Sequence, residues 1–216
     1  MKSTQTFATL PGLILALCLS GCVSLGGHPN PPAVYDFGPG DQPAASAQGV
    51  PSRVPLVLGE IEAGALPEGN AMLYRLAYAD GQQLRPYAQA RWSVAPAELL
   101  RRTLREQLSK DQPVLTPQDG AALREQAQAQ HLTLRVELQD FSQVFDTAAH
   151  SHAWLRLQAT LFSRSGGGEA LLAQRQFVAS QDATSADAAG GAQAMAQASR
   201  QLAQDLSAWI APYSER

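Results

Sequence analysis

The chain of 216 residues holds only two cysteines, Cys18 and Cys22, and both fall within its first 22 residues. Past that point there is no thiol to form a disulfide or to ligate a metal, so the remainder must be held by a packed core. Lysine is almost missing: Lys2 and Lys110 are the only two, and arginine supplies the other cations. A net charge of −3 without a basic patch argues against nucleic acid as a partner. No apolar run reaches the roughly 20 residues that a membrane-spanning helix needs. Catalytic signatures are absent as well: no G-x-x-x-x-G-K-[ST], no G-x-S-x-G, no H-E-x-x-H and no C-x-x-C occurs. The Gly166-Gly167-Gly168 triplet has no Lys-Ser/Thr after it and reads as a hairpin loop, not as a phosphate cradle. No catalytic residue is assigned, and the expectation is that the chain is not an enzyme.

What the start of the chain does contain is an address. Lys2 precedes an uncharged stretch whose apolar centre is Leu13, Ile14, Leu15, Ala16, Leu17, Cys18 and Leu19. It has the length of a signal-peptide core. It ends in Leu19-Ser20-Gly21-Cys22, which resembles the lipobox read by lipoprotein signal peptidase. Small residues Ser20 and Gly21 leave the backbone accessible, and the Cys22 thiol is the nucleophile that takes a diacylglyceryl group. The expectation is a signal peptide over residues 1–21 and a mature protein tethered by covalent diacylglycerol and an N-acyl chain on Cys22. No other cofactor is expected. One acyl chain binds a bilayer only marginally, at about 0.8 kcal/mol per buried CH2, whereas several hold for the life of the protein. Val23 follows the cysteine, and the absence of Asp there favours the outer membrane, on its periplasmic face, over the inner membrane.

Residues 22–53 read as a Pro/Gly-rich tether, with His28-Pro29-Asn30-Pro31-Pro32 and Gly38-Pro39-Gly40-Asp41-Gln42-Pro43. One apolar island interrupts it: in Val34-Tyr35-Asp36-Phe37, alternation sets Val34 and Asp36 against Tyr35 and Phe37, as in a short edge strand docked on the domain. The globular domain is expected over residues 54–212. Strands are predicted over 54–61, 71–78 and 84–92, with Asp80-Gly81 as a hairpin turn and Pro86 confining its strand to an edge or a beginning. Pro96 opens a helix to about residue 110, with Leu100, Leu104 and Leu108 four apart. A short strand at 113–115 is followed by a helix with Thr116 as N-cap and Pro117 at its first turn. Residues 132–145 alternate as a long strand whose phase shifts after Leu138. Strands over 153–163 and 171–180 complete an antiparallel meander. The last helix, about 187–210, carries Met195, Ser199, Leu202, Leu206 and Trp209 on one face and is stopped by Pro212.

The order of these pieces carries a resemblance. Met72-Leu73-Tyr74-Arg75, Tyr87 to Trp92, Pro96 with Leu99-Leu100, Val136-Glu137-Leu138 and Phe141-Ser142-Gln143-Val144-Phe145-Asp146, together with the Tyr35 island and the helix ending at Trp209, resemble the ABC-type transport auxiliary lipoprotein family over about residues 34–211. The resemblance implies a three-layer α/β sandwich: a single domain with a mixed, largely antiparallel sheet and helices packed on it. It also implies a place beside a permease, an ATPase and a mammalian-cell-entry (MCE) domain protein, machinery that moves lipids or other hydrophobic cargo between membranes. The expected partners are therefore an MCE-domain protein and the membrane that holds the anchor. Some family members form ring oligomers, so a homo-oligomer is a further expectation. A periplasmic lipid carrier with an internal apolar cavity is the alternative function.

Arg75, Tyr87, Arg91, Trp92, Phe141 and Gln143 are the candidate partner interface, because aromatics and arginine dominate binding hot spots. Core packing competes for the aromatic members. His150-Ser151-His152, with Asp146 nearby, is the single metal-like feature. A polar loop between strands accounts for it more simply, so no metal site is assigned. Glu137 and Asp140 lie on different strand faces and make no catalytic pair.

Overall fold

The computed structural model describes residues 30–40, 53–64, 66–119, 130–165 and 168–215. The signal and lipobox residues, including Cys22, lie outside the described residues. So does most of the helix predicted after Pro117. At its start the described residues show the expected cap: the Asp119 backbone N–H donates to Thr116 Oγ1 (3.2 Å) and the Thr116 backbone N–H to Asp119 Oδ2 (3.0 Å).

Eight strands form one mixed sheet. They are β1 (Ala33–Tyr35), β2 (Leu56–Leu58), β3 (Ala71–Leu76), β4 (Gly81–Trp92), β5 (Val114–Leu115), β6 (His131–Phe145), β7 (Ser151–Ser165) and β8 (Gly168–Asp182). Helix α1 (Ala77–Asp80) joins β3 to β4, α2 (Pro96–Leu108) follows β4, and α3 (Ala188–Ser214) follows β8. The molecule is the single α/β domain, a mixed sheet with helices packed on it, that the resemblance implies.

β6 is the central member. Along one edge it pairs antiparallel with β7 from His131↔Arg164 to Phe145↔Ser151, and β7 pairs antiparallel with β8. This is the predicted meander. Along the other edge β6 is shared. Its start takes β2 in parallel (Leu56↔Leu132) and its end takes β3 in parallel (Tyr74↔Gln143). The phase shift read from the sequence is a bulge between Leu138 and Asp140. The extra residue returns Phe141 and Phe145 to the face that already buries Leu132, Leu134, Val136 and Leu138.

Helix α2 starts at Pro96, whose missing N–H costs nothing at that position. It buries Leu99, Leu100, Leu104 and Leu108. Helix α3 lies over β7 and β8 and beside α2. Ala192, Ala194, Ala198 and Ala203 keep it close to the sheet, and Met195, Leu202, Leu206 and Ile210 fill the core.

Two expectations are corrected. Asp80-Gly81 is not a two-residue hairpin turn: a helical turn over Ala77–Asp80 reverses the chain, with the Gln82 N–H bonded to Asp80 Oδ1 at 3.0 Å. Pro212 does not stop α3, which continues to Ser214. It sits in the last turn, where only one ladder hydrogen bond is lost. The Tyr35 island is a docked edge strand: β1 pairs in parallel with the end of β4, and Tyr35 and Phe37 pack on the core while Val34 faces outward. Residues 33–40 thus pack with the domain and interrupt the stretch read as tether. The compact unit that contains them begins at Pro32.

Candidate partner interface

The six candidate residues sort by what surrounds them. Trp92 ends β4 and Phe141 follows the β6 bulge. Their rings meet edge to face at 5.6 Å, and Phe37 of the N-terminal island closes on both, at 5.8 and 6.3 Å. Trp92 is 1% exposed and Phe141 2%. Neither offers a surface to a partner, and their assignment to an interface is corrected to a core aromatic cluster. The physical reason is that the segment after β1 packs Phe37 across them, a contact no local sequence pattern around Trp92 or Phe141 announces.

Gln143 is fully buried and is likewise removed from the interface. Its amide is saturated. Oε1 accepts from the Tyr87 hydroxyl at 2.9 Å, and Nε2 donates to Ser151 Oγ at 2.8 Å and to the Asp187 carbonyl at 3.1 Å. One side chain thereby ties β4, β6, β7 and the start of α3. A satisfied buried amide fixes register, whereas an unsatisfied one costs about 1–3 kcal/mol. The helix start is shaped to receive it. Asp187 caps α3, its carboxylate accepting from the Gly190 N–H at 2.8 Å and from Ser185 Oγ at 2.8 Å. These donors, the Gly190 N–H first, hold the Asp187 carboxyl below the usual carboxylate range. A Cβ on Gly191 would collide with the Gln143 amide, and one on Gly190 with the Ser185 backbone. The Gly-Gly pair is thus the sequence trace of this buried contact.

Tyr87 is half-buried. Its ring lies 4.7 Å from that of Tyr74, and burial, with the Tyr74 hydroxyl nearby, pushes its own hydroxyl far above the ordinary phenol range. It is a neutral donor at any physiological pH, which suits a bond to an amide oxygen. Arg75 is partly covered. It donates to the Gln82 carbonyl at 3.2 Å and pairs with Asp140 at 3.6 Å. Asp140 is thus engaged by Arg75, and Arg135 pairs instead with Glu169 at 3.0 Å. Arg91, opposite Val34 in β1, is exposed. The structure therefore joins Tyr87 to Gln143 and Trp92 to Phe141, and leaves Arg91 as the exposed candidate.

His150 and His152 converge on one carboxylate. Asp146 Oδ2 lies 3.1 Å from His150 Nδ1 and 2.9 Å from His152 Nδ1. Burial would raise the Asp146 carboxyl, but the two imidazoles outweigh it and hold it low. Among the described residues no group of His, Cys, Asp and Glu is placed to hold a metal ion. The arrangement clasps the β6–β7 turn. Also among the described residues, no helix is long and apolar enough to cross a membrane.

Sequence reasoning passed over the exposed apolar side chains of β8, Leu171 and Val178. Each belongs to an alternating strand pattern and carries no signal of its own. That the strand is left at a margin is a property of topology alone.

The family model described as "ABC-type transport auxiliary lipoprotein component" matches residues 35–207. Among solved structures, a protein from Xanthomonas campestris superposes with a TM-score of 0.64 at 18% identity, covering 82% of this chain and 94% of that one. A hypothetical protein from Chlamydia trachomatis gives 0.50 at 10% identity, covering 74% and 97%. At such identities the likeness establishes the fold alone. No curated protein matches the chain. The family match spans both the aromatic cluster and the Gln143 contact, from Tyr35 to Ser207, and on that extent the chain belongs to the family of ABC-type transport auxiliary lipoprotein components: a membrane-anchored envelope protein associated with a transporter.

Proposed function

We propose that the protein is the lipid-anchored periplasmic subunit of an ABC transporter with an MCE-domain component, acting as a protein-binding adaptor for the movement of lipids or other hydrophobic cargo across the envelope. The observation that carries this reading is the family match over residues 35–207 downstream of Leu19-Ser20-Gly21-Cys22. In it, the signal peptidase reads Leu19, Ser20 and Gly21, Cys22 carries the diacylglyceryl and N-acyl chains, and the absence of Asp after Cys22 favours the outer membrane. Ten residues separate Cys22 from β1. Fully extended, ten residues reach at most about 35–40 Å.

An adaptor role also agrees with the chemistry present. The buried polar side chains, Gln143 foremost, serve packing. Two cavities lined by described residues, about 420 and 320 Å3, have charged walls, with Arg102, Glu106 and Arg200 in one and Glu60, Arg135 and Arg164 in the other. Such walls do not favour the alternative of an apolar lipid carrier, since acyl chains require apolar lining.

The test is recovery from membranes. Tagged protein extracted in mild detergent is expected to bring down an MCE-domain protein, and intact-mass measurement to show a clipped leader and an acylated Cys22. Cys22→Ala should release the domain to the soluble periplasm. An unmodified thiol at Cys22, or the absence of any MCE-domain protein among the co-purified chains, refutes the reading.

A further inference from the structure

The sheet has a second face, turned away from α2 and α3. Both helices lie on the core side: α3 sits over β7 and β8 and beside α2, and their leucines join one core. Alternate side chains of β7, from His152 to Phe162, point the other way and are only partly covered. Four large hydrophobic residues of the described chain are conspicuously exposed. Two of them, Val34 (54%) and Val178 (46%), end one row across this second face.

The pairing spells out that row. Val34 stands opposite Arg91, Arg91 opposite Ala71, Asp140 opposite Arg156, and Arg156 opposite Val178. Carried back three residues, the Tyr74↔Gln143 register sets Ala71 level with Asp140. From β1 to β8 the face therefore reads valine, arginine, alanine, aspartate, arginine, valine. Strands lie about 4.8 Å apart, so the three steps from Arg91 to Arg156 span about 14 Å.

Its charges do not balance. Asp140 is already taken: Arg75 pairs with it at 3.6 Å, and Ser142 Oγ donates to it at 2.8 Å. The nearby Glu137 carboxylate lies beside Gly64 instead. Among the described residues Arg91 and Arg156 have no hydrogen bond or ion pair, and Arg156 Nε is buried without an acceptor. Burying a guanidinium nitrogen unpaired is costly, and a carboxylate is its best partner. Trp154 is partly exposed in the next row, opposite Ser142. Tryptophan and arginine between apolar margins have the composition of a binding hot spot.

The same charges select the occupant. A second copy laid face to face would bring guanidiniums toward guanidiniums. An anionic bilayer is held by clusters of roughly four to eight cations, more than this face carries. Two unpaired guanidiniums at a fixed spacing suit carboxylates presented by a folded protein. We propose that this face docks the adaptor's protein partner through an acidic segment whose carboxylates engage Arg91 and Arg156, with an apolar side chain against Trp154 and Val178. This rests on the adaptor reading and gives that role its surface.

The test is quantitative recovery of the MCE-domain protein from membranes in mild detergent. Arg91→Glu with Arg156→Glu is expected to recover about tenfold less of it than wild type, and less salt should be needed to strip what remains. Arg200→Glu, exposed on α3 at the other side of the molecule, should recover as much as wild type. Arg91→Gln with Arg156→Gln removes the charges with little change of bulk and should lose severalfold; an unchanged thermal melt shows that it folds. A benzophenone side chain placed at Val178 should cross-link to the MCE-domain protein on illumination. A wild type that recovers no MCE-domain protein refutes the adaptor reading and this surface with it. Recovery by wild type that the Glu and Gln pairs both match overturns the surface and leaves the adaptor reading standing. Equal loss in Arg200→Glu, or cross-linking at Val178 only to lipid or only to another copy of the chain, overturns the surface as well.

Discussion

Along one edge β6 meets β7 from end to end in a hairpin, and β8 folds back in the same way, so every contact is between chain neighbours. Along the other edge β6 receives two short strands, β2 and β3, in parallel, from segments some 70 residues away in the chain. The first edge is stabilised by length and alternation. The second has three paired residues for each strand and must be fixed by side chains that reach across elements. Tyr74 of β3 serves that purpose: its ring packs on Phe145 of β6 at 5.8 Å and on Tyr87 at 4.7 Å, and the Tyr87 hydroxyl donates to Gln143 of β6 at 2.9 Å. The contrast teaches that buried polar and aromatic singularities belong where backbone pairing is too short to specify register unaided.

Cutting out the aromatic centre is the strongest way to break the contrast. Phe141→Ala should cost about 3–5 kcal/mol, and Leu157→Ala in β7 about 2–5 kcal/mol. The distribution of the damage decides the matter. By hydrogen exchange, Phe141→Ala should expose amides of β1, β3 and β4 well before those of β7, whereas Leu157→Ala should lower protection throughout. Uniform loss in both variants would erase the distinction between the two edges.

Gly191→Ala comes next. Its Cβ cannot coexist with the Gln143 amide, so overpacking and broken hydrogen bonds together should cost about 2–4 kcal/mol in chemical denaturation. Adding Gln143→Ala should recover part of that loss, because the two positions are in contact and do not add. Strict additivity would mean that Gln143 is not what the glycine accommodates.

Asp187→Ala removes the N-cap of α3 and should cost about 1 kcal/mol. The cap also sets a pH dependence. Because the folded carboxyl titrates below its unfolded value, near 3.9, its contribution is complete above that pH and fades as the pH falls through the lower folded value. Asp187→Asn should keep the cap and flatten this part of the stability profile at acid pH. The smallest effect belongs to the outer face of the meander. Arg135→Ala loses an exposed pair with Glu169 and should change stability by no more than about 1 kcal/mol, less at high salt.

The meander could be read in advance. Leu132, Leu134, Val136 and Leu138 alternate inward, and the odd step from Leu138 to Phe141 is the phase change that the bulge accommodates. Pro96 and the leucines of α2 fixed that helix equally well. The Tyr35 island was legible as an edge strand from four residues. The candidate interface was not. Trp92 and Phe141 carry the composition of a binding hot spot, yet they lie in the core among residues distant in the chain, with Phe37 packed on both from more than 50 residues away. Gln143 looked like an exposed polar residue in an alternating strand, and it is buried because Tyr87, Ser151 and Asp187 supply a partner for each of its groups. Gly190-Gly191 was a usable clue to that contact: two glycines in a helix's first turn are costly unless something must come close.

By itself the sequence determined most of the described strands and helices, the order of the meander, and the family, because periodicity, caps and turn residues act over a few positions and are written locally. It did not determine which polar side chains are buried, how β6 divides its second edge between β2 and β3, or that β8 is left at a margin. Those depend on contacts between segments far apart in the chain. Such contacts are decided only when the elements are assembled and each buried donor must find an acceptor.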